Sequence, residues 1–181
     1  MKRLLNLICG STFLVLPHNK KNMKKQLFIE ESEARKLYAT ASPEFKQMLE
    51  TTFGKEFFSM KITDRIKTYE DACNELGICA QLEVTLNELG FTPDEINLRK
   101  IKTITEALNE GWKADWNDSS QYKYYPWFKM SSGGFVFSST GYGNSVAVAG
   151  SASRLCFATR ELAKYAGEQF TKLYSDYILY Q

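Results

Sequence analysis

Four residues in one stretch of the chain combine positive charge with aromatic rings at alternating positions. They are Lys123, Tyr125, Trp127 and Lys129, in the glycine-dotted, aromatic stretch 121–158. Side chains two residues apart lie on the same face of a strand, so the four would share one face. Rings that stack on bases, beside lysines that contact phosphates, are typical of surfaces that bind single-stranded nucleic acid. The spacing therefore predicts a binding face on a strand.

The same aromatic residues have other interpretations. Exposed tyrosine and tryptophan side chains also anchor protein–protein interfaces, so a protein-interaction or virion-assembly module is an alternative. Trp112, Trp116 and Trp127 would suit the sugar platforms of a glycan-binding module. The rings of Tyr125 and Trp127 could also simply pack in a core, with lysine stems lying over them. Composition alone leaves these alternatives open.

Arg154 is a further candidate for binding an anion. It stands at the start of a predicted strand among small residues, where a guanidinium can reach a phosphate or a carboxylate. A surface arginine or a structural ion pair is the more ordinary outcome.

The residues that most catalytic sites require are scarce. His18 is the only histidine and stands near the start, so the rest of the chain has no histidine for nucleophilic catalysis or metal binding. There is no phosphate-binding GxxxxGK[ST] loop, and the four cysteines lack paired metal spacing. Asp115 and Asp118 are close in sequence but lie in an Asn-Asp-Ser turn context. We therefore predict a protein that is not an enzyme and has no cofactor or bound metal.

The first 22 residues need separate treatment. They contain four basic residues and no acidic one, and without them 19 basic residues face 21 acidic ones. An apolar run after a basic start is typical of an export signal, but Asn6 interrupts it and Pro17-His18 follows. Met23 begins a more natural N-terminus. We interpret residues 1–22 as a disordered leader or an upstream-start extension, with an export signal as the alternative.

The elements that would position the candidate face are short strands. In the first, Tyr122, Tyr124, Phe128 and Met130 would point toward the core, opposite the basic-aromatic set. Pro126 cannot donate to a ladder, so it indicates an edge strand or a bulge. The segment 131–134 predicts a turn, and 135–137, 146–149 and 154–158 predict further strands. A three- or four-stranded antiparallel meander is the simplest arrangement.

Helices are predicted before and after these strands. Ser42-Pro43 indicates one helix start, and Thr92-Pro93 with Glu95 indicates another, with a capping box. Ile101, Ile104 and Leu108 would form the buried stripe of the second helix. A helix-turn-helix over 77–102, with Arg99 among its basic residues, is a weaker alternative.

These elements predict an α+β fold. A helical N-terminal half, 23–111, precedes a small antiparallel β-meander packed under a C-terminal helix that opens at Thr159, within 112–181. The sequence is compatible with one domain or with two. No stretch of the sequence has the length and apolarity of a membrane span, so we expect no membrane contact. The four scattered cysteines are typical of reduced thiols, so we expect a cytoplasmic location.

Several segments resemble small uncharacterised proteins encoded by phages and prophages of gut bacteria. They are Ala107-Leu-Asn-Glu-Gly-Trp112, Tyr122-Lys-Tyr-Tyr-Pro-Trp127-Phe128, Ser153-Arg-Leu-Cys-Phe157 and 160–170. The segments that begin at Ser42 and Gly54 are similar to the front part of such proteins. The resemblance implies a viral or mobile-element context and implies no activity.

Together these observations predict a non-enzymatic binding protein. Its expected partner is single-stranded nucleic acid, and its expected ligand-binding residues are Lys123, Tyr125, Trp127, Lys129 and Arg154. A protein partner is the alternative.

Overall fold

The computed structural model describes residues 11–14, 27–81, 83–144 and 155–179. Within those ranges the chain forms two antiparallel strand pairs and nine helices. The elements are β1 (Ser11–Leu14), β2 (Leu27–Glu30), α1 (Glu31–Thr40), α2 (Pro43–Phe53), α3 (Lys55–Ser59), α4 (Ile62–Arg65), α5 (Tyr69–Leu76), α6 (Glu83–Glu88), α7 (Pro93–Leu108), β3 (Lys123–Ser131), β4 (Gly134–Gly143), α8 (Arg160–Gln169) and α9 (Thr171–Ile178).

The chain divides into two compact units. The first comprises Met1–Lys61 with Asn74–Cys79, and the second comprises Ile62–Cys73 with Ala80–Gln181. The division therefore falls inside the predicted helical region 23–111, and α7 belongs to the same unit as the strands that follow it.

The first unit is built on an unexpected strand pair. β1 pairs antiparallel with β2, from Ser11 opposite Glu30 to Leu14 opposite Leu27. β1 lies within residues 1–22, most of which fall outside the described ranges. Ile29, Ala34 and Leu49 form the buried centre. Larger, partly buried side chains pack around that centre: Leu37, Tyr38, Phe45, Met48, Phe53, Phe57 and Phe58.

The long helix of the second unit begins as predicted. The backbone N–H of Thr92 donates to Glu95 Oε2 at 2.8 Å, as in a capping box, and Pro93 takes the first helical position. Ile101, Ile104 and Leu108 are buried, which confirms the predicted stripe. α7 therefore supplies a continuous apolar surface to the interior of the second unit.

The strands of the second unit form a hairpin. β3 pairs antiparallel with β4, from Lys123 opposite Gly143 to Ser131 opposite Gly134. The register shifts between Trp127 and Phe128, where β4 carries one extra residue. Among the described residues β4 is the one full strand that pairs with β3, and Pro126 lies next to the bulge, as its missing N–H predicts.

We predicted a meander of three or four strands. The described residues form the two-stranded hairpin and one isolated β-bridge. Phe157 exchanges two backbone hydrogen bonds with Tyr124, at 2.7 and 3.0 Å, in place of a full strand 154–158. The side-chain amide of Asn109 binds both the Cys156 carbonyl and the Ala158 N–H, and so holds this segment against the end of α7. The predicted strand 146–149 lies outside the described residues.

The C-terminal part of the chain covers one face of the hairpin. Thr159 caps α8, as predicted, but the expected single helix is two, α8 and α9, separated at Phe170. Phe128 packs on Tyr174 with ring centroids 4.9 Å apart. The α+β fold class, with its helical first half and covered antiparallel strands, is confirmed.

Candidate binding face of the hairpin

Tyr125, Trp127 and Lys129 form the face of the hairpin opposite Phe128, and we call these three residues the hairpin face. Trp127 is 57% exposed. Its ring centroid lies 6.4 Å from that of the half-buried Tyr125, at an interplanar angle of 44°. Lys129 is exposed two residues further along β3. The alternation of the sequence therefore places these three side chains together.

Gly141 explains the position of the Tyr125 ring. The two residues are opposite each other in the register of the hairpin. A Cβ atom added at Gly141 would lie 2.5 Å from Tyr125 Cε2 and 2.7 Å from its Cζ. The ring therefore lies across β4 over the bare backbone of the glycine, a cross-strand arrangement that fixes aromatic rings on sheets.

Lys123 departs from the prediction. Its side chain is only 1% exposed, and its Nζ donates to the carbonyls of Asp118, at 2.9 Å, and Asn144, at 2.8 Å. The same Nζ lies 5.4 Å from the centroid of the Trp116 ring. A lysine with these contacts cannot reach an external phosphate. The prediction that Lys123 lies on an exposed basic face is therefore wrong. Arg154 lies outside the described residues.

A second aromatic surface was not predicted. Tyr122, Tyr124 and Tyr142 contact one another, with ring centroids 5.1 to 6.2 Å apart, and we call them the tyrosine cluster. Tyr122 and Tyr142 are about half exposed, although the alternation predicts a core position for Tyr122. The Arg160 guanidinium lies 5.6 Å from the Tyr124 ring centroid, and its Nη1 donates to Thr140 Oγ1 at 3.0 Å.

The tyrosine cluster is exposed because α8 and α9 cover only part of the face to which it belongs. Gly167 of α8 lies against Phe137 and Pro126, further along the hairpin. Met130, on the same face near the turn, is likewise 65% exposed. Strand alternation assigns the face, but the extent of the covering helices decides which of its residues are buried.

The aspartates near the strands have turn geometry. Asp115 Oδ1 accepts from the Asn117 N–H at 2.9 Å, and Asp118 Oδ1 accepts from the Ser120 N–H and hydroxyl. The hydrogen bonds from Ser120, first the hydroxyl and then the N–H, hold the pKa of Asp118 below its ordinary value. These carboxylates act as turn formers. Across the described ranges no group of three or more histidine, cysteine, aspartate or glutamate side chains is arranged to hold a metal ion.

The three tryptophans occupy three different environments. Trp112 lies in the loop after α7, the Trp116 ring lies near the buried Lys123 amine, and Trp127 is on the hairpin face. None of the three rings stacks on another within the part of the chain that the structure describes. This arrangement gives no support to a common sugar platform.

No family model matches the chain, and no curated protein or solved structure is significantly similar to it. Among the helices of the described residues, none has both the length and the apolar character needed to cross a lipid bilayer.

Proposed function

We propose that this protein is a non-enzymatic binding protein that contacts single-stranded nucleic acid through the hairpin face. The observation that carries the proposal is the exposed Trp127 ring beside the Tyr125 ring, with Lys129 next to them. Each ring offers a surface on which a base can stack, and stacking of this kind tolerates any base. The resemblance to phage and prophage proteins supports a mobile-element setting in the cytoplasm of a host cell.

The charge of the second unit determines the kind of binding to expect. Residues 62–73 and 80–181 contain 12 basic and 14 acidic residues. With Lys123 buried, Lys129 is the lysine that the hairpin face offers to a phosphate. Stacking must therefore supply most of the affinity, and the salt dependence should be shallow. One phosphate contact on a single strand implies a loss of about two- to threefold between 50 and 200 mM salt.

The test is fluorescence anisotropy of labelled oligonucleotides with the full chain. We expect binding to single strands that exceeds binding to the matched duplex, with the shallow salt dependence given above. Trp127→Ala should weaken binding by about fivefold or more, since a stacked base contributes about 1–3 kcal/mol. Lys129→Ala should weaken it less and flatten the salt dependence.

Met130→Ala is the matched control. It removes an exposed apolar side chain from the opposite face of the same strand, so it should leave the affinity unchanged. Binding that Trp127→Ala and Met130→Ala affect equally, or an absence of binding at 50 mM salt, would refute the proposal.

A protein-interaction function is the second candidate, and the tyrosine cluster favours it. Tyrosine and arginine are enriched among the residues that dominate protein interfaces, and Arg160 stands beside three mutually packed tyrosines. Size-exclusion chromatography with light scattering tests whether the partner is a second copy of the chain. A defined oligomer that Tyr142→Ala dissociates, and that Trp127→Ala leaves intact, would support this function over nucleic-acid binding.

A further inference from the structure

A groove of about 850 Å³ lies along one side of α7. Phe91, Leu98 and Trp112 supply apolar lining, and Arg99, Lys102 and Lys113 supply positive charge. The volume is within the range of pockets that hold small organic ligands. The groove belongs to the second unit and shares no lining residue with the hairpin face.

The chain reversal after α7 creates the second wall of the groove. Glu110 has φ 46° and Gly111 has φ 88°, so two successive residues adopt the left-handed region. This conformation is unfavourable for glutamate, and the ion pair of its carboxylate with Arg65, at 2.6 Å, helps to hold it. The residues that follow the reversal, Trp112 to Ala114, line the groove together with α7.

The lining of the groove has a small excess of positive charge. Arg99, Lys102 and Lys113 make no ion pair with any described residue, whereas Lys100, on the same helix, pairs with Glu83. Two carboxylates, those of Glu95 and Glu106, also line the groove, and Glu95 accepts hydrogen bonds from Thr92. The groove therefore carries three cations against two carboxylates, one of which is engaged in capping α7.

Two residues of the apolar lining are aromatic. Trp112 and Phe91 are both half-buried, and the Arg99 guanidinium lies 4.9 Å from the centroid of the Phe91 ring. Half-buried rings of this kind provide flat surfaces for another ring, and a stacked guanidinium keeps its N–H groups for an anion. The groove thus offers a flat apolar surface beside a cluster of cations.

We propose that the α7 groove binds a nucleoside phosphate. The base would stack on Trp112, and the phosphate would contact the cations Arg99, Lys102 and Lys113. A ligand with an uncharged flat ring and an anionic end complements both parts of the lining. The site is separate from the hairpin face, so the two proposals stand or fall independently.

Isothermal titration calorimetry with the full chain tests this inference. The probes are AMP, GMP, CMP, UMP and ATP, with the four matching nucleosides and inorganic phosphate as the two halves of each ligand. We expect at least one nucleotide to bind, and its nucleoside and inorganic phosphate each to bind at least about tenfold more weakly than that nucleotide. The affinity should fall as salt rises from 50 to 200 mM.

Charge reversal identifies the site. Lys102→Glu and Lys113→Glu should each weaken nucleotide binding by about tenfold or more, since either change places a carboxylate beside the phosphate. Lys164→Glu, on the exposed surface of α8, is the matched control and should change the affinity less than twofold. Trp112→Phe should retain most of the affinity and Trp112→Ala should lose it. Thermal unfolding of each variant confirms that it is folded.

Three outcomes would overturn the inference. One is an absence of heat with every nucleotide in the panel at 50 mM salt. Another is equal binding of AMP and inorganic phosphate that Trp112→Ala does not change, which would show a site for anions alone. The third is nucleotide binding that Trp127→Ala abolishes and Lys102→Glu leaves intact, which would place the nucleotide on the hairpin face.

Discussion

Lys123 and Lys129 lie on the same face of one strand but differ strongly in solvent exposure. Both are lysines on β3 and the alternation gives them the same side, yet one is 1% exposed and the other is on the surface. The difference arises where each stands. Lys123 is the first residue of β3, and its amine donates to the carbonyls of Asp118, in the preceding loop, and Asn144, directly after β4. The amine can be buried there because it donates hydrogen bonds to two backbone carbonyls.

Replacement of Lys123 should therefore reduce stability. Lys123→Met keeps the length of the side chain but leaves two carbonyls without their donor, and we expect a loss of about 1–3 kcal/mol in the free energy of unfolding. Urea denaturation followed by circular dichroism measures it. Lys129→Met, on the exposed part of the same face, should change the value by less than about 0.5 kcal/mol. Equal effects of the two replacements would contradict the structural role of Lys123.

At the scale of elements, the contact of α8 with β4 depends on a glycine inside a helix. A Cβ atom at Gly167 would lie 2.4 Å from Phe137 Cδ2 and 2.9 Å from Pro126 Cβ. Glycine normally weakens a helix by about 1 kcal/mol relative to alanine. Here the missing side chain lets α8 approach the hairpin closely, so that packing outweighs helix propensity.

Gly167→Ala tests this balance. The gain in helix propensity of about 1 kcal/mol should be exceeded by an overpacking cost of about 1–3 kcal/mol, so the variant should be less stable than the parent protein. Denaturant unfolding measures the change. Glu168→Ala, exposed on the same helix, is the control and should stay within about 0.5 kcal/mol. Addition of Phe137→Leu to Gly167→Ala should recover part of the loss, and a stabilising Gly167→Ala would refute the close-packing argument.

At the scale of the whole molecule, the first unit includes a strand, β1, from the segment that precedes Met23. β1 pairs antiparallel with β2, from Ser11 opposite Glu30 to Leu14 opposite Leu27. A chain that starts at Met23 should leave β2 unpaired, and the backbone amides of residues 27–30 that bond to β1 should exchange faster with solvent. Hydrogen exchange followed by mass spectrometry measures this, with the amides of β3 and β4 as the internal control. Unchanged exchange in 27–30 would show that β1 adds no protection.

Alkaline pH should weaken the second unit. Burial, and then a hydrogen bond with Cys73, raises the pKa of Tyr69 to about 12, and burial raises the pKa of Tyr174 as well. The folded state therefore holds these phenolic protons more tightly than the unfolded state, in which tyrosine titrates near pH 10. Their contribution is present below about pH 10 and is lost as the pH rises through 12.

Urea unfolding between pH 8 and pH 11.5 measures this contribution. Stability should be nearly level at first and fall above about pH 10. A variant with both Tyr69→Phe and Tyr174→Phe should lose much of that fall, because it has no buried phenol to ionise at these positions. An unchanged slope in the double variant would assign the alkaline sensitivity to other groups.

The sequence by itself determined the features of the fold that depend on neighbouring residues alone. The helix starts at Ser42, Thr92 and Thr159 are confirmed, because a cap satisfies backbone donors within four residues of itself. The position of Pro126 beside a bulge follows equally from its missing N–H. The shared face of Tyr125, Trp127 and Lys129 follows from the period of a strand.

Only the tertiary structure decided which of these residues are available to a partner. The loop before β3 buries Lys123, and the limited reach of α8 and α9 leaves the tyrosine cluster exposed. The reversal at Glu110 and Gly111 brings Trp112 to the cations of α7. Each of these outcomes depends on contacts between different segments, such as the hydrogen bond from Lys123 to the Asn144 carbonyl, and the periodicity of a single segment does not contain such contacts.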